Sequence, residues 1–167
     1  KSEIVRYDFA PGNKIHVVHE GVDPAFGEPI HADVSRLVDI PPKTPYILCV
    51  AHTYPHKNVH MLVQAFAILS EEIPHHLVLV GKARRGEARV QESLESVSDR
   101  QRVHRVDSIS YDQLKAIYQG ADLFVLPSEY EGFGLPVLEA LLAGIPCITT
   151  LMGSLSEVGG DCAVYFE

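Results

Sequence analysis

Apolar positions change their period along this chain. From Pro45 onward, short continuous apolar runs alternate with stretches in which apolar residues recur every three or four positions. The runs Tyr46–Ala51, His76–Gly81, Leu123–Leu126 and Pro146–Thr150 are as short as strands and too uniformly apolar for one-sided exposure, which predicts strands covered on both faces. Gln101–Val106 is a less apolar strand, and Ala163–Tyr165 a last one. Between them, Leu62, Phe66, Leu69 and Ile73 mark a helix over 58–73 that Pro74 ends. Residues 86–98 read as a polar helix. Ser110 followed by Gln113 is a capping-box pattern opening a helix to about Gln119. Leu135–Ala143 is a helix stopped by Gly144, and a short helix lies near 154–158. The first 45 residues are less regular. A helix remnant over roughly 1–10 is followed by a short strand at Lys14–His19, turn residues Gly21 and Pro24, and loop over 23–45.

Strands alternating with helices predict an α/β domain, with a Rossmann-like parallel sheet of about six strands and helices on both faces. Ligands bind such sheets outside the carboxyl ends of the strands, so the informative loops follow residues 51, 81, 106, 126 and 150.

The 167 residues suit one domain, and 46% hydrophobic with 22% charged residues is ordinary for a globular chain. No apolar run approaches a membrane span, and Lys1–Arg6 lacks a signal-peptide core. A net charge of −8 argues against nucleic acid as a partner, so an anionic ligand requires a local positive site. Cys49, Cys147 and Cys162 are scattered, odd in number and set in or beside apolar stretches. They read as reduced core thiols of a cytoplasmic protein.

The chemistry concentrates after the fourth strand, in Ser128-Glu129-Tyr130-Glu131-Gly132-Phe133-Gly134-Leu135-Pro136. Glycines there let backbone approach a ligand, and the start of a helix with Pro136 in its first turn favours an anion. Glu131 stands in the loop. Glu139 lies about one turn into an apolar helix, where a charge needs a partner and a carboxylate can accept two hydroxyl protons from a diol. An anion site beside two carboxylates suits a ligand carrying both a diphosphate and many hydroxyls. Lys57, at the start of a helix on the same edge, opposes the helix dipole, and neutralising a diphosphate gives it a reason to be there. Lys82-Ala83-Arg84-Arg85-Gly86 adds a positive field. His52, His56 and His60 fall at four-residue spacing, but Pro55 interrupts them and no acid or Cys pattern joins them, so no metal site is assigned.

Glu131-Gly132-Phe133-Gly134-Leu135-Pro136-Val137-Leu138-Glu139-Ala140 resembles the Glu-x7-Glu signature of retaining GT-B glycosyltransferases. The class is group 1 (family 4), which includes mannosyl- and glucosyltransferases and sucrose and trehalose synthases. The resemblance runs from about Val17 to Tyr165. Gly144-x-Pro146 and Gly153-Ser154 with Glu157 are similar to the family's ending, and His19-Glu20-Gly21-Val22-Asp23 to its Asn-Gly-Val-Asp turn. The resemblance implies that Glu131 contacts the transferred sugar and that Gly132, Phe133, Gly134 and Leu135 contact sugar and diphosphate. It further implies that Glu139 holds the ribose hydroxyls and Lys57 the phosphates. Glu131 and Lys57 are thus the catalytic candidates. His52 stands where the family often has Arg, Lys82 adds to the donor site, and the run Arg105-Val106-Asp107-Ser108, with Arg105 and Val106 as its candidates, occupies the place where the family seats the base.

The same resemblance implies half of a GT-B fold. Residues 1–14 would be the remnant of a preceding helix and linker, and 15–167 the nucleotide-sugar-binding domain. The donor would be a nucleoside diphosphate sugar such as GDP-mannose or UDP-glucose, used without metal or other cofactor. A glycan or lipid-linked acceptor would reach the site through an N-terminal domain outside this chain. The full-length protein would be cytoplasmic, with peripheral membrane association allowed, and the fragment alone inactive. The alternatives are a non-catalytic nucleotide-binding or scaffold domain, and another GT-B enzyme such as a sugar-nucleotide epimerase or a phosphorylase.

Overall fold

The computed structural model describes residues 1–30 and 32–167, the Glu3 side chain excepted. Six parallel strands form one sheet: β1 (Tyr46–Val50), β2 (His76–Val80), β3 (Val103–Val106), β4 (Leu123–Leu126), β5 (Cys147–Thr150) and β6 (Ala163–Phe166). Their order is β3-β2-β1-β4-β5-β6. The central register pairs Ile47 with both Leu77 and Leu123, and Leu48 with both Val78 and Phe124. The order reverses at β1, where β2 lies on one side and β4 on the other. That reversal is the switch point at which such sheets hold ligands.

Two cores cover the two faces, because successive side chains of a strand point to opposite sides. Tyr46, Leu48, Phe124, Leu126 and Cys147 pack in one core, with α5 (Tyr111–Gln119), α6 (Leu135–Leu142) and Phe26. Ile47, Cys49, Leu77, Leu79 and Val125 pack in the other, against α3 (Val59–Leu69) and α4 (Glu87–Leu94). Central strands β1 and β4 are therefore apolar at every position, whereas edge strand β6 alternates between half-buried and exposed residues.

The helices after Pro45 follow local sequence logic. Ser110 Oγ accepts from Gln113 N while Gln113 Oε1 accepts from Ser110 N, so the expected capping box opens α5. Helix α3 stops at Leu69, ahead of Pro74. The Arg102 guanidinium lies over the Phe66 ring and donates to the carbonyls of Ser70, Ile73 and His75. It satisfies the carbonyl of the helix C-cap Ser70 and two carbonyls of the connection to β2. Gln101 and Arg102 accordingly belong to a 3-10 turn ahead of β3 rather than to the strand.

The first 45 residues depart from expectation. The helix expected over roughly 1–10 is α1 (Ser2–Arg6) alone. The expected strand over Lys14–His19 does not form: Gly12–Lys14 is a 3-10 turn and the residues after it have no regular structure. Its apolar positions imitate a strand, but Val17 and Val18 are exposed and pair with no neighbour. Within 23–45, expected to be loop, Pro24–Gly27 forms a 3-10 turn capped by the Asp23 side chain, and α2 spans Val34–Val38. Phe26 and Val38 are buried and anchor this segment beneath α5 and α6. His31 lies outside the described residues. The chain is completed by α7 (Leu155–Gly159). Cys49 and Cys147 are buried core thiols, each pushed up to about 12 by burial. Cys162 is exposed, contrary to the core reading, because it immediately precedes edge strand β6.

Candidate functional site

The carboxyl-end loops of β1, β2, β4 and β5 are fastened to one another. Thr53, buried, joins the β1 and β2 loops: its N–H donates to Lys82 O, its carbonyl accepts from Gly86 N, and its hydroxyl oxygen accepts from Arg84 N at 2.7 Å. The same hydroxyl donates to Glu87 Oε2 at 2.9 Å. The β1 and β4 loops join where His56 O accepts from Glu129 N at 2.8 Å and Asn58 Nδ2 donates to Glu129 Oε1. Ser154 Oγ, in the β5 loop, donates to the carbonyls of Glu131 at 3.1 Å and Phe133 at 2.6 Å.

Two cavities open on this edge. The first, of about 630 Å3, is lined by Val50, His52, Tyr54, Lys57, Lys82 and Ile109 among others. The second, of about 580 Å3, is lined by His19, Glu20 and the whole run Glu131–Pro136. Pro136 lines both. Lys57 edges the first cavity and Glu131 the second, and Lys57 Nζ lies 2.5 Å from each Glu131 carboxylate oxygen. Ser128 Oγ also donates to Glu131 Oε1 at 2.7 Å. The site therefore holds a cation and an anion facing each other at the boundary between two cavities. Lys57 lies in a 3-10 turn, Pro55–Lys57, one residue ahead of α3. Glu131 gives it a structural partner, besides any ligand, that offsets its place near a helix start.

The loop glycines have distinct geometries. Gly134 takes φ +106°, and a Cβ there would lie 3.0 Å from Leu155 Cδ2, so the turn into α6 requires glycine. Gly132 meets nothing within 4 Å and lines the second cavity. Its missing side chain leaves that cavity open without being needed by the backbone.

Glu139, on α6, is half-buried, and Oε2 accepts from the Tyr118 hydroxyl at 2.8 Å. Burial pushes its carboxyl above the usual range while the Tyr118 bond works against that. The partner demanded by a charge in an apolar helix is thus a buried phenol on α5, a residue the sequence reading passed over. Glu139 borders neither cavity directly. His52 is exposed, and its Nδ1 accepts from Lys82 N at 3.0 Å. Partial burial, then Arg84, Lys82 and Lys57, pull its imidazole below the usual histidine range. At neutral pH it is an uncharged ring whose Nε2–H is its remaining donor.

The two halves of the run Arg105-Val106-Asp107-Ser108, expected near the base, face different surroundings. Arg105 donates through both guanidinium nitrogens to Glu87, holding that carboxyl down at about 2. Val106 packs against the core beneath α5, and neither residue lines the first cavity. Asp107 and Ser108, the second half of that run, do line it, together with Ile109 and Leu114. Ile109 and Leu114 lie beyond the expected run, in the loop after β3 and in α5, because the loop and not the strand end forms the wall. Among the described residues, no group of three or more His, Cys, Asp or Glu side chains is placed to hold a metal ion. No helix is long and apolar enough to cross a membrane.

The loop with the Glu-x7-Glu spacing follows β4 at the switch point of a doubly wound sheet, where such folds bind ligands, and sequence comparison identifies the class. Residues 34–162 match the family model described as glycosyl transferases group 1, and the chain belongs to that family. It is 35% identical over 121 residues to the O-antigen chain mannosyltransferase B of Escherichia coli, covering 71% of this chain and 32% of that protein. It is 31% identical over 160 residues to the MMP alpha-(1->4)-mannosyltransferase of Mycolicibacterium hassiacum, covering 93% and 37%. The chain thus spans roughly a third of the length of these relatives. Its fold matches a glycosyltransferase crystal structure from Rickettsia africae with TM-score 0.84 at 19% identity, over 99% of this chain and 46% of that one.

Proposed function

We propose that this chain is the donor-binding domain of a retaining glycosyltransferase that moves a hexose of mannose or glucose type from a nucleoside diphosphate sugar. The observation that carries the reading is the meeting of the two cavities at Lys57, Glu131 and Pro136. A nucleoside fits the less polar first cavity beside Ile109 and Leu114, and a sugar fits the second against Glu131 and the Gly132–Leu135 backbone. The diphosphate then falls at Lys57, with Lys82 and the neutral His52 as further donors.

Chemically, the departing diphosphate gathers negative charge as the anomeric carbon turns oxocarbenium-like, and a fixed cation beside it stabilises that change. Lys57 supplies the charge without a metal. Glu131 holds Lys57 in place before the donor arrives and shares it afterwards, leaving the carboxylate beside the transferred sugar. The mannosyltransferases among the relatives favour a mannosyl over a glucosyl donor. The acceptor, a glycan or lipid-linked sugar, is assigned to the part of the longer protein that corresponds to the rest of those relatives. Robust transfer by the 167-residue chain alone would overturn that assignment.

Thermal unfolding and calorimetry with GDP-mannose, UDP-glucose, GDP and UDP test the reading. One base is expected to stabilise the domain, by about 2.7 kcal/mol at a hundredfold excess over Kd. The sugar-bearing form should bind tighter than the bare nucleotide, and Glu131→Gln should remove that increment. No stabilisation by any of the four overturns the donor reading and favours a scaffold domain.

A further inference from the structure

Glu139 is half-buried on α6, one turn behind the cavity boundary, and something must fix which of its oxygens meets a ligand. We propose that Tyr118 is a positioning residue that locks the Glu139 carboxylate in the pose that receives the ribose diol. The inference rests on the donor-binding reading above and adds to it a residue from outside the signature motif.

The geometry is specific. Tyr118 is fully buried, and its ring meets Phe26 edge-on at 5.4 Å and Phe124 at 5.5 Å. Its hydroxyl is a polar atom in an apolar cluster, an arrangement that is unfavourable unless the hydroxyl is bonded. The bond it makes is to Glu139 Oε2, at 2.8 Å. Phenylalanine would fill the same volume, so packing does not account for the oxygen. Helix α5, which carries Tyr118, is held at both ends. The capping box fixes its start, and the Gln119 side chain at its end donates to the carbonyls of Phe26 and Glu28 and accepts from Ile30 N. The phenol cannot follow a moving carboxylate, so the carboxylate is held by the phenol.

One Glu139 oxygen is thereby committed to the protein, while Oε1 has no partner among the described residues. Glu139 lies one turn along α6 from Pro136, which lines both cavities. A carboxylate fixed at one oxygen presents the lone pairs of the other at constant angle, and fixed geometry is what discriminates one hydroxyl pattern from another. Tyr111 also feels the Glu139 carboxylate, but its hydroxyl is engaged with Asp23 Oδ2 at 2.9 Å. Burial and the neighbouring carboxylate hold the Tyr118 phenol protonated, so it remains a donor across the accessible pH range.

The test compares GDP and UDP with their 2′,3′-dideoxy counterparts by calorimetry, on wild type, Tyr118→Phe, Glu139→Ala and the double variant. Wild type is expected to prefer the diol-bearing nucleotide by about tenfold, the worth of a hydrogen bond to a charged group. Tyr118→Phe should lose most of that preference while binding the dideoxy form as before, and it should change nothing further in the Glu139→Ala background. A carbon-13 titration of the Glu139 carboxyl should show a higher midpoint in Tyr118→Phe. A Tyr118→Phe protein that weakens both nucleotides equally, or leaves the midpoint unmoved, overturns the positioning role while leaving the donor site standing. Wild-type binding with no diol preference overturns the ribose role of Glu139. Failure of wild type to bind any nucleotide overturns the donor reading itself.

Discussion

Replacing Lys57 with Met preserves the packing of the stem and removes the charge that faces Glu131. Wild-type Lys57 Nζ sits 2.5 Å from both carboxylate oxygens, with side-chain exposures of 20% for Lys57 and 9% for Glu131. At an effective dielectric near 20 such a pair gains about 7 kcal/mol at this distance before desolvation, and removing one partner of a buried pair costs roughly 3–5 kcal/mol. Residual exposure and the surviving Ser128 bond place this case lower, at about 2–3 kcal/mol. For a domain of this size that lowers Tm by roughly 4–12 °C. Scanning calorimetry with urea unfolding at pH 7 measures it. The double variant Lys57→Met, Glu131→Leu should regain most of the loss, because neither group is then left unpaired. A single variant melting within about 1 °C of wild type, or a double variant as unstable as the single one, would refute the pairing argument.

Further outcomes follow from other contacts. Gly134→Ala, at φ +106° against Leu155, should destabilise the domain by about 1–3 kcal/mol, whereas Gly132→Ala should leave Tm unchanged and weaken binding of the sugar-bearing donor. Equal effects on stability would contradict the separate roles assigned to the two glycines. His76 Nδ1 and His104 Nε2 lie 2.8 Å apart with stacked rings, so one proton serves both, and each imidazole is lowered, chiefly by burial. The unfolded chain then takes up protons first, so stability is complete above about pH 6.5 and falls as pH drops below it. Urea midpoints from pH 7.5 to 5 should show that slope, and His104→Phe should flatten it. Glu87, held down at about 2 by Arg105, contributes stability above about pH 4.3 that is lost as pH falls toward 2. Glu87→Gln should therefore cost about 1 kcal/mol at pH 7 and nothing at the acid end, read from the same urea series.

How much of this was legible before the tertiary structure depended on where each partner lay. The central strands announced themselves because burial on both faces forces apolar residues at consecutive positions, and Ser110–Gln113 because a capping box closes within one turn. The expected strand at Lys14–His19 failed for the converse reason: a short apolar run becomes a strand only beside another strand, and none is there. Helix α2 carries too few residues for any period to show, and Phe26 and Val38 anchor that segment only by contacts far along the chain.

The loop from Glu131 to Glu139 is contiguous, so its carboxylates, its glycines and the helix start behind it could be read directly, and with them the family. Its working partners could not. Lys57 lies 74 positions from Glu131 and Tyr118 21 from Glu139, while Glu87 reaches 34 positions back to Thr53 and 18 forward to Arg105. Such pairings carry no period and no motif. They exist because the parallel sheet brings the carboxyl ends of β1, β2, β4 and β5 to one edge, where unlike charges within hydrogen-bond reach must satisfy one another once water is excluded. The sequence by itself determined the strands and the chemistry of one loop. The tertiary structure decided that Lys57 faces Glu131, that Arg105 turns to Glu87, and that a buried phenol holds Glu139.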